Sequence, residues 1–413
     1  MVTEPTTLRH VVIPGNCLNI LRSLGENTVD AIVTDPPYGL GFMGKVWDAL
    51  PPGLEWAQEC LRVLKPGGHL LAFGGTRTWH RLAVAIEDAG FEIRDSIAWL
   101  YGTGFPKSLD VSKAIDKAAG ATREVVGVGQ YSDRGRRTDN RVYGKSTPSD
   151  AEVITAPATP EASQWSGWGT ALKPAFEPIV VARKPLAGTV AANVLEHGTG
   201  ALNIDGCRIA GDEDGSRNRP PSRLGSASTY AQDEWTRTAV VPRRDTTGKG
   251  RWPANVVLDA DQAAALDEQS GTTKATPHRR NAPKEAGTYG AFTGADEDRQ
   301  GPADIYGASR FFYVAKAPKR ERPVVDGVAH PTVKPLALMR WLVRLVTPPG
   351  GIVLDPFAGS GTTLEAAVLE GFVAVGIERE ADYLKLIEAR MAPYLSWPIR
   401  GAEGCEGYLA RQQ

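Results

Sequence analysis

The sequence predicts an α/β fold, a doubly wound and mostly parallel sheet interrupted by an irregular insertion. Three observations predict it. Short apolar runs, such as 31–33, 69–73 and 352–355, alternate with stretches of helical periodicity. Two of these runs end in turns that no central strand continues through, TDPPYGL at 34–40 and DPFAGSGTT at 355–363. From about Asp110 to Tyr306 the alternation fades, and Gly, Pro, Arg, Ser and Thr dominate. At 413 residues there is room for one large α/β domain and a second module.

In chain order, 11–13 reads as a strand leading into GNCLNILRSL (15–24), a short amphipathic helix with Leu18, Leu21 and Leu24 on one side and Asn16 placed to cap it. The run 31–33 brings Asp35 to the carboxyl end of a buried strand. Pro36 and Pro37 then fix a rigid, extended turn that holds Tyr38 at a set distance from Asp35. GFMGKVWDAL (41–50) reads as a mobile loop beside it. Leu54, Ala57, Leu61 and Leu64 recur at helical spacing until KPGG (65–68) stops the helix, and 69–73 is a strand. A helix from about Thr78 closes at Gly90, a strand covers 91–100, and YGTGFPK (101–107) is a loop placed to line the same crevice. A short helix is expected from about Asp110 to Ala119.

Order returns at SRFFYVAK (309–316), read as a strand. HPTVKP (330–335) precedes a helix with Leu338, Met339, Leu342, Val343 and Val346 on one face, and Pro335 suits its first turn. The strand 352–355 feeds Gly359 and Gly361, after which Leu364, Ala367 and Val368 take helical spacing. Glycines there let the backbone approach a ligand closely, and the free amides of the helix start face it. The next strand, 372–377, ends at Glu378, 23 residues after Asp355. An acidic residue about 20 residues on, at the end of the next parallel strand, is placed to accept hydrogen bonds from a ribose. A cofactor with an adenosine part is implied. A helix with Tyr383, Leu384 and Ile387 closes the domain.

The net charge of −1 favours no polyanionic partner by itself, so phosphate binding falls to local clusters such as Lys316, Lys319, Arg320 and Arg322, or Arg134, Arg136 and Arg137. Cys17, Cys60, Cys207 and Cys405 have no paired spacing, and the six histidines are scattered, so neither a metal site nor a disulfide framework is expected. No signal peptide opens the chain and no apolar run approaches the roughly 18 residues of a membrane span. A reducing, cytoplasmic setting fits.

DPPY at 35–38 ahead of FAGSG at 357–361, with Glu378 beyond, resembles the amino-group DNA methyltransferases that use S-adenosylmethionine. The likeness covers 15–107 and 330–390 well and the middle patchily. Its order, with the proline-proline-tyrosine segment before the glycine turn, is that of the permuted, β-type members, and several middle stretches are similar to phage-type adenine methyltransferases. The resemblance implies a Rossmann-like methyltransferase domain whose catalytic half is 1–109 and whose cofactor-binding half is 309–413. The insertion 110–308 is then the target-recognition region, partly flexible. Within it WSGWGTALKPAFEPIVVARKP (165–185), HGTGALNIDGCRI (197–209) and RWPANVVLD (251–259) interrupt the irregular run. Trp165 and Trp168 either stack on bases or pack a loop onto a core. The polar stretches 211–229 and 270–298 are expected to be disordered without DNA.

Carried over to this chain, the resemblance implies that Asp35, Pro36, Pro37 and Tyr38 are catalytic. It implies cofactor contacts from Asn16, Asp35, Thr332, Lys334, Asp355, Phe357, Gly359, Ser360, Gly361, Thr362 and Glu378. An acidic residue usually stands where Asn16 is, and the amide oxygen would accept from the cofactor adenine without charge assistance. Thr332 and Lys334 border the methionine end or cap the helix. The implied reaction is methylation of adenine N-6 in double-stranded DNA. Asp35 favours adenine over cytosine N-4, since serine is commoner at that place in cytosine enzymes. A DNA-binding protein of the same fold that has lost catalysis is the reading of another class. The resemblance is compatible with a homodimer, and with or without a partner restriction endonuclease.

Overall fold

The computed structural model describes residues 10–40, 52–102, 104, 108–128, 153–209, 250–271, 273–274, 305–315 and 321–394. The loop 41–50, the arginines at 134–137, the stretch 211–229, most of 270–298, and Lys316, Lys319 and Arg320 lie outside the described residues.

Nine strands form one sheet. In chain order they are β1 (His10–Pro14), β2 (Val29–Thr34), β3 (Leu64–Phe73), β4 (Glu92–Leu100), β5 (Phe176–Arg183), β6 (Val256–Asp259), β7 (Tyr313–Ala315), β8 (Ile352–Asp355) and β9 (Val373–Glu378). Across the sheet the order is β1-β9-β8-β2-β3-β5-β4-β6-β7. All neighbours are parallel except the pairs made by β5, which runs antiparallel to both β3 and β4. The fold is therefore the α/β, mostly parallel one that the sequence predicts.

Ten helices are among the described residues: α1 (Cys17–Ser23), α2 (Leu54–Val63), α3 (Trp79–Asp88), α4 (Val111–Ala118), α5 (Pro160–Gln164), α6 (Val190–His197), α7 (Ala260–Ser270), α8 (Leu336–Val346), α9 (Thr362–Leu369) and α10 (Ala381–Met391). The sheet is covered on both faces. Side chains alternate along each strand, so Val11, Ile13, Ile32, Leu70 and Leu354 join one core with Leu21, Trp56, Cys60 and Ile86 of α1–α3. Val12, Val33, Leu71 and Val353 join the other, with Leu338, Leu342, Leu364 and Ile387 of α8–α10. Each fully buried aliphatic side chain contributes about 1.5–3 kcal/mol. Truncating Leu342, which has no exposed surface, to Ala costs about 2–5 kcal/mol.

Three expectations are corrected. The helix expected to include Leu64 and stop at KPGG ends at Val63, and the strand expected at 69–73 starts at Leu64 with KPGG inside it. Gly67 takes φ +78 there and its amide bonds to the Lys184 carbonyl at 3.2 Å, so the kink is absorbed by the sheet. The stretch 309–316 opens with a 3-10 turn, Ala308–Phe311, before the short β7. Most consequentially, 110–308 is not an insertion throughout. It supplies β5, an interior strand, and β6, which extends the sheet beyond β4. The physical reason lies in the run Ile179–Ala182, wholly apolar and buried, which fills the seam between two strands running the same way. Pro178 lies one residue beyond the last β3 pair, Phe73↔Ile179, so its missing N–H removes no rung on that side.

Candidate active site

β2 and β8 are adjacent and parallel, with Val353 beside Ala31 and Leu354 beside Ile32. Their carboxyl ends therefore open side by side, and Thr34 Oγ1 donates to Asp355 Oδ1 at 2.6 Å across the seam. One turn leads into Asp35 to Tyr38, the other into the glycines.

Past β2, four side chains from three parts of the chain converge. Asp35 Oδ2 is 2.7 Å from Lys334 Nζ, and its Oδ1 accepts from the Tyr38 hydroxyl at 2.8 Å. Glu177, the second residue of β5, places Oε2 3.0 Å from that hydroxyl and 3.1 Å from Lys334 Nζ. Lys334 Nζ also donates to the Tyr38 oxygen at 3.1 Å. The three ammonium hydrogens thus have three partners inside the cluster. Burial works against the charge of Lys334, but the Asp35 and Glu177 carboxylates outweigh it and hold the ammonium above the ordinary lysine range. Burial, then the same two carboxylates, push the Tyr38 phenol well above its usual value, which keeps it a proton donor. The Tyr38 ring lies against Gly75, where a Cβ would come within 3.1 Å of it, and Thr78 Oγ1 fixes its carbonyl at 2.6 Å.

HPTVKP brings Lys334 into this cluster, whereas Thr332 stands exposed outside it with its carbonyl 2.9 Å from His330 Nδ1. Glu177 is the member that sequence reasoning missed. The only signal for it is its place two residues ahead of the apolar run in β5.

Past β8, Gly359 and Gly361 take φ +54 and +81, a region that favours glycine. A Cβ at Gly359 would meet His330 Nε2 at 3.1 Å, and one at Gly361 would meet Ile387 at 3.2 Å. The Gly359 amide donates to Glu378 Oε2 and the Glu380 amide to Oε1, both at 2.8 Å. Asp355 Oδ1 accepts from the Phe357 amide at 3.1 Å. Both acids are buried, and burial raises Asp355 to about 6 and Glu378 to about 7 despite these hydrogen bonds. Ser360 and Thr362 are buried with hydroxyls 3.4 Å apart, and Arg390 Nε holds the Ser360 carbonyl at 2.8 Å. Phe357 is half-buried against Trp56, ring centroids 5.9 Å apart. Asn16 is exposed and caps α1, its Oδ1 accepting from Leu18 and Asn19 amides at 3.0 and 3.4 Å. It stands two residues beyond the end of β1, whose Pro14 pairs with Glu378.

These residues fit an adenosine group. Neither glycine of the positive-φ turn carries a side chain of its own, and the sides on which a Cβ would stand are packed on His330 and Ile387. A carboxylate offers about four acceptor sites, so Glu378 keeps capacity for a ribose hydroxyl beside its backbone bonds.

Trp165 and Trp168 do not pack onto a core. They are 40% and 60% exposed and pack on each other, edge to face at 5.0 Å. The chain that carries them leaves the end of β4 and re-enters at the start of β5, where Leu100 pairs with Phe176. It stands at the same end of the sheet as Asp35 and Glu177.

A sequence profile of the N6/N4-type DNA methylases matches residues 29–389, from the start of β2 to within α10. The chain belongs to this DNA methylase family. The methylase match encloses the turn at 35–38, the glycine turn and Glu378. Among individual methylases, the type II methyltransferase M.HpaI of Haemophilus parainfluenzae is 34% identical over 113 residues, 25% of this chain and 36% of that protein. The type II methyltransferase M.HindIII of Haemophilus influenzae is 29% identical over 229 residues, covering 44% and 61%. The DNA adenine methyltransferase YhdJ of Escherichia coli is 47% identical over 57 residues, covering 14% and 19%. Each match spans less than two thirds of the relative's own length.

Proposed function

We propose that this chain transfers a methyl group from S-adenosylmethionine to the N-6 amine of adenine in double-stranded DNA. The observation that carries the reading is Asp35, a carboxylate held in a partly buried cluster at the end of β2 beside the glycine turn that follows β8. An amine acceptor and a cofactor turn then share one crevice.

The exocyclic amine of a base is a poor nucleophile because its lone pair is delocalised into the ring. The sulfonium of the bound cofactor supplies an already activated methyl group. Asp35 and the Pro36 carbonyl accept the amine N–H bonds and draw the nitrogen toward a tetrahedral, nucleophilic state. As the new C–N bond forms and the bond from the methyl carbon to sulfur breaks with its electron pair left on sulfur, the amine gains positive charge and gives up one proton. Two carboxylates against one ammonium leave the cluster with one formal negative charge in excess, which stabilises the cationic amine, and Asp35 takes the proton. A base inside a duplex is out of reach, so it is flipped out at a cost of roughly a few kcal/mol. Stacking on Tyr38 returns about 1–3 kcal/mol of this.

Adenine is favoured over cytosine by the aspartate at position 35 and by the name of the relative YhdJ. Target reading is assigned to the excursion that bears Trp165 and Trp168, together with the segment 210–249. The test is incubation with labelled S-adenosylmethionine and unmethylated duplex DNA, followed by digestion to nucleosides. Label is expected in N-6-methyladenine. Label in N-4-methylcytosine would transfer the reading to the cytosine chemistry, and DNA binding without transfer would leave a protein that has kept the fold and lost catalysis.

A further inference from the structure

Arg208, Arg251, Trp252, Arg310 and Phe311 take no part in the site described above, yet they gather into one patch. Two backbone hydrogen bonds between Ile209 and Arg251, at 3.0 and 2.8 Å, set Arg208 beside Trp252. The Arg208 guanidinium lies 5.4 Å from the centroid of the Trp252 ring. Arg251 and Arg310 lie over the single ring of Phe311, at 5.5 and 4.9 Å, and Arg251 Nη1 donates to the Arg310 carbonyl at 3.1 Å. Asp205 pairs with Arg208 at 2.9 Å and offsets one of the three charges. Even with Arg208 against it, the indole is 65% exposed, so Trp252 serves no core.

The patch stands at the end of the sheet away from Asp35. Leu258, near the carboxyl end of β6, lies beside Leu100 of β4, which faces Phe176 and so the Glu177 end of β5. Trp252 and Phe311 precede Val256 and Tyr313, and therefore lie at the amino ends of β6 and β7. A guanidinium stacked by its face on a ring keeps its edge, with its N–H donors, for phosphate oxygens. An exposed indole offers a face to a base, but only to an unpaired one, because bases inside a duplex are stacked on each other. A duplex would use the arginines and leave the indole without a partner.

We propose that this patch is a second nucleic-acid site, separate from the crevice, that takes single-stranded DNA: a base stacks on Trp252, and Arg251 and Arg310, held by Phe311, take the neighbouring phosphates. The proposal stands whether or not a base amine is the methyl acceptor.

The experiment is anisotropy of a labelled oligothymidylate of about 12 nucleotides, alone or paired with its complement, titrated with the full chain at several salt concentrations. Thymidylate has no exocyclic amine, so the single strand is no methyl acceptor. W252A is expected to weaken single-strand binding at least about fivefold and to leave duplex binding within about twofold. R251Q and R310Q are each expected to reduce the magnitude of the single-strand salt slope by about 0.7, one phosphate contact. Y38A, at the other end of the sheet, should leave single-strand affinity within about twofold. W252L, apolar but without an aromatic face, repeats the comparison should W252A not fold. A wild type that binds no oligothymidylate overturns the proposal, as does W252A or W252L binding it as tightly as the wild type. Loss of single-strand binding in Y38A would assign that strand to the crevice, and equal loss of duplex and single strand in W252A would make this a duplex surface; either result overturns the proposal.

Discussion

Asp35 and Tyr38 sit three residues apart and share a hydrogen bond, yet they are assigned different work, and their removal separates the two. Asp35→Ala leaves Lys334 paired with Glu177, so the variant should fold and bind DNA. It loses a charge-assisted acceptor in a closed site, about 3–4 kcal/mol of transition-state stabilisation, or several hundred-fold in single-turnover rate. Tyr38→Ala loses the stacking surface, about 1–3 kcal/mol of the flipping step. It should be partly rescued when the target base is mispaired, because flipping is then easier, whereas Asp35→Ala should not be. Equal rescue of both would refute this division of labour. Glu378 adds a pH dependence. Its folded value of about 7 lies above its ordinary 4.5, so its contribution to stability is full below the lower value and is lost as pH rises through about 7. Ribose hydroxyls donate to the ionised form, so cofactor affinity should rise with pH by up to about tenfold per unit until about 7 and then level off, with proton release in calorimetry. Glu378→Gln should bind weakly and lose that dependence, and a Glu378→Gln variant with an unchanged pH profile would place the proton elsewhere.

The glycine turn shows what one element asks of its residues. Gly361 is the cap of α9 at φ +81, and a Cβ there would press on Ile387 of α10 at 3.2 Å. Gly361→Val therefore strains the backbone and pushes α10 from the turn, and S-adenosylmethionine affinity should fall at least about tenfold while the melt stays cooperative. Unchanged affinity by calorimetry would separate this turn from the cofactor. Elements of this kind are legible in the sequence because each carries its own punctuation. β2 is marked by DPPY, β8 and α9 by the glycines, and β9 by an apolar run closed by Glu378. β5 has no such mark, because its four-residue apolar run sits between Pro178 and Pro185 inside a Gly- and Pro-rich stretch. Glu177 is illegible for a related reason. A lone acid ahead of a proline belongs to no motif, and only the pairing of Trp99 with Glu177 brings it to Lys334. Asn16 shows the opposite case, since its capping follows from local sequence alone and is what the structure contains.

At the scale of the whole molecule, β5 joins the two parts of the sheet, with β1, β9, β8, β2 and β3 on one side and β4, β6 and β7 on the other. Excision of 110–308 would remove that joint together with Glu177, leaving β3 and β4 without the strand that pairs both. Such a chain should show no cooperative melt and no cofactor binding. A narrower excision should behave differently. The excursion that bears Trp165 and Trp168 begins and ends where Thr170 N donates to Ser108 Oγ at 2.9 Å and Leu109 N to Thr170 Oγ1 at 3.0 Å, so a short glycine linker closes the gap at little entropic cost. With 109–169 replaced in this way, the sheet, the Asp35 cluster and the glycine turn should survive, and S-adenosylmethionine affinity should stay within about threefold of the parent. DNA affinity should fall at least about tenfold, because two exposed indoles are lost and base stacking on an aromatic ring contributes about 1–3 kcal/mol. Thermal melts, calorimetry with the cofactor and anisotropy with labelled duplex read the three quantities separately. Undiminished DNA affinity in the narrow excision would take target reading away from this excursion, and a cooperative melt of the wide one would show that the sheet closes without β5.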